Sequence, residues 1–268
     1  MTTADAPSGG LSRITVFFPV YNEGESAGNL VRRVAGACAA LGMPYRILVV
    51  DDGSTDDSAA RVREQGAEVP LRLIEHGRNR GLREALKTGL AWLATECGDN
   101  EVVVFMDGDD THDPGHIELM LEEMAGGADV VVASRFRRGS RTYGVPFYRQ
   151  VLSLGANVWG MLFFHLPGIR DYACGFRAVR SGVVKELVRR YGDRVLELTG
   201  YGFICSVELL VRMGDVTRRF GEVPMILRYD RKGGPSKMSA LRTAAGYLAL
   251  FLHRLRTRRH FTSKSQVR

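Results

Sequence analysis

The sequence predicts an α/β chain built on an open, mainly parallel sheet with helices on both faces. Three observations carry that expectation. Short Val/Ile-rich runs such as "YRILVVDD" and "EVVVFMD" are continuous rather than alternating, the mark of strands covered on both faces. They alternate with helical apolar stripes, giving the strand–helix–strand repetition of a parallel sheet. Polar motifs then follow directly on three of the strands, where open α/β sheets bind their ligands.

Taken in order, residues 1–12 form a small, polar, flexible lead. "ITVFFPV" (14–20) is a strand, and 24–41 a helix on Leu30, Val31, Val34 and Leu41. "YRILVVDD" (45–52) is the second strand, followed by a helix over 56–65 with Asp56 or Asp57 placed to cap it. "LRLIEH" (71–76) leads to a helix over 81–96, where Leu82, Ala85, Leu86, Gly89, Leu90 and Leu93 make one stripe. "EVVVFMD" (101–107) and "ADVVVASR" (128–135) flank a helix over 115–125. Beyond 135 the pattern loosens. Residues 143–168 start irregularly and become an aromatic-rich helix; 207–214 is another helix and 221–230 a strand. "RKGGPSK" (231–237) is a basic, glycine-broken loop, and an apolar helix ending in arginines closes the chain.

The 268 residues, 45% hydrophobic and 25% charged, can bury a full core and exclude overall disorder. A net charge of +7 fits anionic partners in general. Cys38, Cys97, Cys174 and Cys205 are scattered, without zinc or redox spacing, and read as reduced thiols in a cytosolic protein. The N-terminus lacks a signal pattern, and no stretch reaches the ~18–20 apolar residues of a membrane span. There is neither a G-x-G-x-x-G after the first strand nor a P-loop, which counts against dinucleotide oxidoreductases and P-loop NTPases.

"FMDGDDTHDP" (105–114) crowds four carboxylates at the end of a buried strand. An acidic turn that caps the next helix accounts for Asp113 and Asp110. Asp107 and Asp109, bracketing Gly108, read instead as hard oxygen ligands for Mg²⁺ or Mn²⁺, with Thr111 able to add a hydroxyl. A dication there neutralises charge growing on a phosphate leaving group. In "VVDDGSTDDS" the turn chemistry is ordinary, and its placement beside the other motifs gives Asp51 or Asp52 a hydrogen bond to a nucleobase or ribose. Asn79 and Arg80 stand at a helix mouth, able to touch a donor, whereas Gly81, Ala85 and Gly89 serve packing. Arg135, Arg149, Arg231, Lys232 and Lys237 follow the sheet or lie ahead of the last helix; the loop carrying the last three suits a mobile phosphate clamp. Arg137, Arg138 and Arg141 read as solvated, and His112 and His116 as surface or supporting residues.

The ordered set "FPVYNE", "VVDDGSTD", "NRGLREALKTG", "MDGDDTHDP", "ASRF", "SLGAN", "DYACGFR", "GEVP" and "RKGGPSK" resembles glycosyltransferase family 2 with its GT-A, Rossmann-like fold. Within the family it is most similar to the dolichol-phosphate mannosyltransferase and polyprenyl-phosphate sugar transferase branch, from Ile14 to about Lys237. The resemblance implies a glycosyltransferase domain over 13–238, divided near 135 into donor-side and acceptor-side halves, with an amphipathic helix and basic tail over 239–268. It implies that Pro19, Tyr21, Glu23, Asp51, Asp107 and Gly108 meet the nucleotide-sugar, and that Asp107, Asp109 and Thr111 serve the metal. Arg135, Arg231 and Lys237 would gather phosphates about the reacting bond, with Arg149, Asp171, Gly175 and Phe176 on the acceptor side. Leu154 stands where that branch commonly has an arginine.

The expected reaction is inverting transfer of a hexose, GDP-mannose ahead of UDP-glucose as donor, onto a polyprenyl phosphate. A soluble saccharide or natural-product acceptor is the alternative, and it needs a general base, for which Asp171 is the candidate. Nucleic acid is not an expected partner. The last helix, with Leu248, Leu250, Phe251, Leu252 and Leu255 followed by Arg254, Arg256, Arg258 and Arg259, can lie on an anionic cytoplasmic membrane surface or pack into the core.

Overall fold

The computed structural model describes residues 10–232 and 240–264. The first half runs β1 (Arg13–Val20), α1 (Glu25–Ala40), β2 (Tyr45–Asp51), α2 (Ser58–Gly66), β3 (Leu71–Glu75), α3 (Leu82–Glu96), β4 (Glu101–Phe105), α4 (Ile117–Ala125) and β5 (Val130–Ser134). The second half adds β6 (Arg141–Tyr143), α5 (Phe147–Phe164), β7 (Arg177–Arg180), α6 (Ser181–Tyr191), α7 (Ile204–Met213), β8 (Phe220–Pro224), β9 (Ile226–Arg228) and α8 (Ala240–Lys264). The expected elements of the first half all form, with ends moved by a few residues.

The main sheet has the order β3-β2-β1-β4-β7-β5-β8, and β6 and β9 form a separate two-stranded sheet. From β1 the chain steps outward through β2 to β3, then returns through α3 to place β4 on the other side of β1. Right-handed crossovers therefore put α1 and α2 on one face and α3 on the other. The gap between the ends of β1 and β4 is the switch point of the sheet, where such folds bind ligands.

Strand β7 escaped the sequence reading. It is antiparallel to both neighbours, pairing Val103 with Val179 and Val131 with Ala178. Its four residues, "RAVR", hide a strand because two are arginines. Their heads turn to backbone carbonyls: the Arg177 terminal nitrogens donate to Ser206 and Tyr172, and Arg180 to Ala128 and Met124. Helix α6 follows at once, burying Val183, Val184 and Leu187, and was likewise not expected. The expected strand over 221–230 breaks after Pro224, so β8 joins the main sheet and β9 leaves it to pair with β6.

Helix α3 lies close on the sheet because position 89 has no side chain. A Cβ on Gly89 would sit 2.2 Å from the Phe17 ring. Gly89→Ala would gain helix propensity of about 1 kcal/mol, yet overpacking against a buried ring costs about 1–3 kcal/mol. We expect a net fall in thermal midpoint of a few degrees, read by calorimetry; a rise would show that α3 can slide away from β1.

All four cysteines are free and buried, and burial pushes the Cys38, Cys174 and Cys205 thiols up to about 12. Among the described residues no helix is long and apolar enough to cross a membrane.

Candidate active site

Strands β1, β2 and β4 deliver their polar ends to one edge. Gly108 sits so close to β1 that a Cβ would lie 2.3 Å from the Pro19 carbonyl oxygen, which brings the acidic turn against the first strand. Pro19, Asp107, Gly175 and Arg177 line a small cavity of about 50 Å³ there, closed by Leu82 and Leu86 of α3 and Phe203, Ser206 and Leu209 of α7. Beside it a polar cleft of about 570 Å³ is lined by Asn22, Glu23, Asp56, Asp110 and Arg231, among others. Asn22 and Asp110 hold positive φ of 49° and 58° on its walls, a conformation that costs a non-glycine residue about 1 kcal/mol or more.

The acidic cluster separates into three electrostatic environments. Arg33 of α1 pairs with Asp110 and, at 3.0 Å, with Asp113, and Asp113 also caps the following turn by accepting from Gly115 N–H. Asp109 accepts from the Thr111 hydroxyl at 2.7 Å and pairs through its other oxygen with the Lys232 ammonium. Burial works to raise the Asp109 carboxyl, but Lys232 and the hydrogen bonds prevail and hold it below the usual carboxylate range. Asp107 faces the cavity with its side chain 47% exposed. Partial loss of water and the Asp109 charge push its carboxyl up, against the pull of His112.

His112 is a buried support, not a surface residue. Its ring stacks on Phe176 at 5.1 Å, and its Nδ1 accepts from Asp107 N–H. An accepting Nδ1 leaves the neutral ring's proton on Nε2, which lies 3.6 Å from Asp107 Oδ2. His116 likewise ties the turn to β9, its Nε2 accepting from Ile226 N–H.

Other assignments change. Asp52 does not face the cleft as a free acceptor: it is buried and takes hydrogen bonds from His76 and from the N–H groups of Arg80 and Gly81 at the start of α3. It anchors a helix N-terminus, a natural seat for a carboxylate. Asp51 accepts from the N–H and hydroxyl of Ser54. The side chain that caps α2 is Asp56, bonded to Ser58. Asn79 is exposed, Glu23 lines the cleft, and Tyr21 is half-buried nearby.

On the acceptor side, Asp171 is 0% exposed and forked by Arg135, Nε to Oδ2 at 2.8 Å and Nη2 to Oδ1 at 2.7 Å. It also accepts from the N–H groups of Arg135 and Cys174. Burial alone would raise its carboxyl; Arg135 and those backbone donors more than offset this and hold it low. Both Asp171 oxygens are thus taken up by Arg135 and backbone donors, an arrangement that disfavours the general-base role expected of it. Phe176 is fully buried under His112, so its side chain is not open to an acceptor as expected, and a Cβ on Gly175 would lie 2.7 Å from Asp107 Oδ1, which sets that glycine against the acidic turn. Arg149 of α5 bonds the Tyr229 hydroxyl in the turn that carries Arg231. Lys237 lies outside the described residues.

Two groups that motif reading passed over complete the region. Among the described residues Arg177 is buried with no carboxylate in hydrogen-bond reach and an unpartnered Nε, and burial pulls its guanidinium down. Tyr247 of α8 is buried with an unpartnered hydroxyl. Leu250 is buried beside it while Leu248, Leu252 and Leu255 are exposed, so α8 both packs into the core and presents an apolar face. Away from the switch point, Glu197, Glu208 and His253 cluster at metal-like spacing. Arg212 already fills that space, 2.6 Å from Glu197 Oε2, so the group latches α8 to α7.

A mainly parallel sheet with a strand-end acidic site at its switch point defines the GT-A class of sugar-transferring folds. The chain belongs to glycosyltransferase family 2: the family described as Glycosyl transferase family 2 matches residues 15–188. It is 32% identical over 203 residues to a dolichol-phosphate mannosyltransferase of Pyrococcus furiosus, covering 75% of this chain and 53% of that protein. It is also 32% identical over 229 residues to a polyprenol monophosphomannose synthase of Mycolicibacterium smegmatis, covering 85% and 81%. The chain thus spans about half the length of the first relative and most of the second. Its fold matches a glucosyl-3-phosphoglycerate synthase from Mycobacterium tuberculosis, solved with Mn²⁺, UDP and phosphoglyceric acid, with a TM-score of 0.63 at 20% identity over 91% of this chain and 80% of that one.

Proposed function

We propose that this chain transfers a hexose, mannose from GDP-mannose in the first instance, onto a polyprenyl phosphate with inversion at the anomeric carbon. One observation carries the acceptor choice. Asp171, the candidate base, is locked against Arg135, whereas a phosphate acceptor is already ionised near neutral pH and needs no strong base. The names of the two relatives support mannose as the sugar and a polyprenyl-type phosphate as the acceptor.

The oxygen-only donor set of Asp109 and Asp107, with an ammonium already standing at Asp109, fits a hard dication. Bound there, Mg²⁺ or Mn²⁺ would supply charge stabilisation to the departing diphosphate. The chain's own contributions are fixed cations and shape. Arg231 on the cleft wall and Lys232 beside Asp109 bring positive charge to the leaving side, as preorganised electrostatics. Pro19 and Glu23 border the nucleotide's place, and Thr111 orients Asp109. A panel of GDP-mannose and UDP-glucose, each with and without Mn²⁺ and a short polyprenyl phosphate, tests this reading. Lipid-linked mannose is the expected product; turnover only with a soluble acceptor would overturn it.

The lipid acceptor also calls for a surface. Helices α5 and α8 pack together and leave outward stripes: Phe147, Val151, Leu154 and Val158 on one, Leu248 and Leu252 on the other. Leu154 therefore extends an exposed apolar face where the related branch carries arginine. Exposed Arg242 and Arg256 on α8 add positive charge. We place this face on the anionic cytoplasmic leaflet, apolar side chains in the acyl boundary and arginines at the headgroups. Val158→Glu with Leu252→Glu should weaken co-sedimentation with phosphatidylglycerol-containing vesicles about tenfold or more, and raised salt should weaken the wild type too. Equal sedimentation of variant and wild type would remove the membrane contact.

A further inference from the structure

Of the four carboxylates in the acidic turn, Asp110 and Asp113 are neutralised by Arg33, and Asp107 is backed by His112. Asp109 alone is paired with a cation from the far end of the domain. Both of its oxygens have donors, Thr111 on Oδ1 and Lys232 on Oδ2. Lys232 is well placed to hold that position. Its backbone N–H bonds the Tyr229 carbonyl at 3.2 Å, closing a tight turn, and its ammonium stands 5.8 Å over the Tyr229 ring. The ammonium is mostly sheltered, with 15% of the side chain exposed, so the pair is not a solvated surface contact.

We propose that Lys232 is a tethered competitor for the divalent cation at Asp109, holding the carboxylate oxygen until a nucleoside diphosphate draws the ammonium away. The inference rests on Asp109 as the cation site of the proposed function and goes beyond it by assigning a regulator of that site. A dication and an ammonium cannot share Oδ2 without repulsion. Loading the metal therefore breaks a charge-assisted hydrogen bond in the donor-free enzyme. Lysine suits the exchange: its compact charge sits on a four-carbon stem and can move without unfolding the turn that bears it. The diphosphate offers the released ammonium a new anionic partner, so diphosphate and metal favour each other's binding, and by linkage the coupling is reciprocal.

The test needs neither sugar transfer nor acceptor. Mn²⁺ is titrated into the donor-free protein, and free Mn²⁺ is read by electron paramagnetic resonance. Lys232→Met should tighten Mn²⁺ binding about 10- to 100-fold, the range of a lost charge-assisted hydrogen bond. Lys232→Arg, which keeps a cation, should stay near wild type. Adding Asp109→Asn to Lys232→Met should abolish the gain. Added GDP should strengthen Mn²⁺ binding more in the wild type than in Lys232→Met. Thermal unfolding with and without Mn²⁺ gives a second readout, with a larger metal-induced rise in the Met variant. Unchanged or weaker Mn²⁺ binding by Lys232→Met, or a gain that survives Asp109→Asn, overturns the assignment. Because the titration is separate from the donor and acceptor panel, failure of sugar transfer leaves this result standing, and failure here leaves the transfer reading to its own assay.

Discussion

Asp109→Asn should lower hexose transfer about 100- to 1,000-fold while leaving the fold in place. The magnitude is that of removing one preorganised electrostatic group from a site where charge develops. The asparagine keeps the shape of the side chain, and its Oδ1 can still accept from the Thr111 hydroxyl, now 2.7 Å from the aspartate. What it loses is the negative charge that pairs with Lys232 and that suits a hard cation. Initial rates with saturating GDP-mannose, polyprenyl phosphate and Mn²⁺ provide the measure, beside a thermal midpoint within a few degrees of wild type. Asp110→Asn is the comparison: its carboxylate pairs with Arg33, away from Lys232, so it should cost less than tenfold. If Asp109→Asn kept transfer within threefold of wild type, the switch-point site would not be the reacting centre.

Asp171→Asn should be the most destabilising single change at the site, at about 3–5 kcal/mol, because it leaves the Arg135 guanidinium facing a buried neutral group. For a chain of this size that corresponds to a loss of roughly 10 °C in thermal midpoint. The pH dependence follows from the depressed carboxyl of Asp171. A carboxylate held below its unfolded value, about 3.9, contributes its full stability above that value and loses it as pH falls towards the folded one. The gap between wild type and Asp171→Asn in urea unfolding should therefore be full at pH 7 and narrow below about pH 4. A gap that widens on acidification would mean that the Asp171 carboxyl is raised in the native state rather than held low by Arg135. Arg135→Met should cost a similar amount, and the double change less than the sum, since both partners of one buried pair are then gone.

The strand-end motifs were legible because their chemistry is local. Continuous Val runs announce covered strands, and "YNE", "DDGS" and "DGDD" each follow one within a few residues. The same locality explains which motif residues were misassigned. Asp52 looks like a ligand by position, yet its three hydrogen bonds come from residues 24 to 29 positions away. Phe176 belongs to a recognisable "CGFR" stretch, but its burial under His112 depends on a pairing of β7 with β4 that no period in "RAVR" reveals. His112, expected at the surface or in support, supports Asp107 through a backbone hydrogen bond and stacks on Phe176, contacts that only the folded turn creates.

By itself the sequence determined the α/β class, the first five parallel-sheet strands with their helices, the acidic turn and the family. Each follows from short-range regularities, namely side-chain periodicity, turn residues and motif order, which survive without knowledge of contacts. Tertiary structure alone decided which carboxylate meets which cation. Asp109 and Lys232 are 123 positions apart, and Asp110 and Arg33 are 77. It also turned Asp171 from a candidate base into the buried partner of Arg135, and gave α8 a packed face and an exposed one. The physical reason is that charge pairing and burial are properties of neighbours in space. Water screens such pairs along an open chain, and they acquire their strength only when folding excludes it.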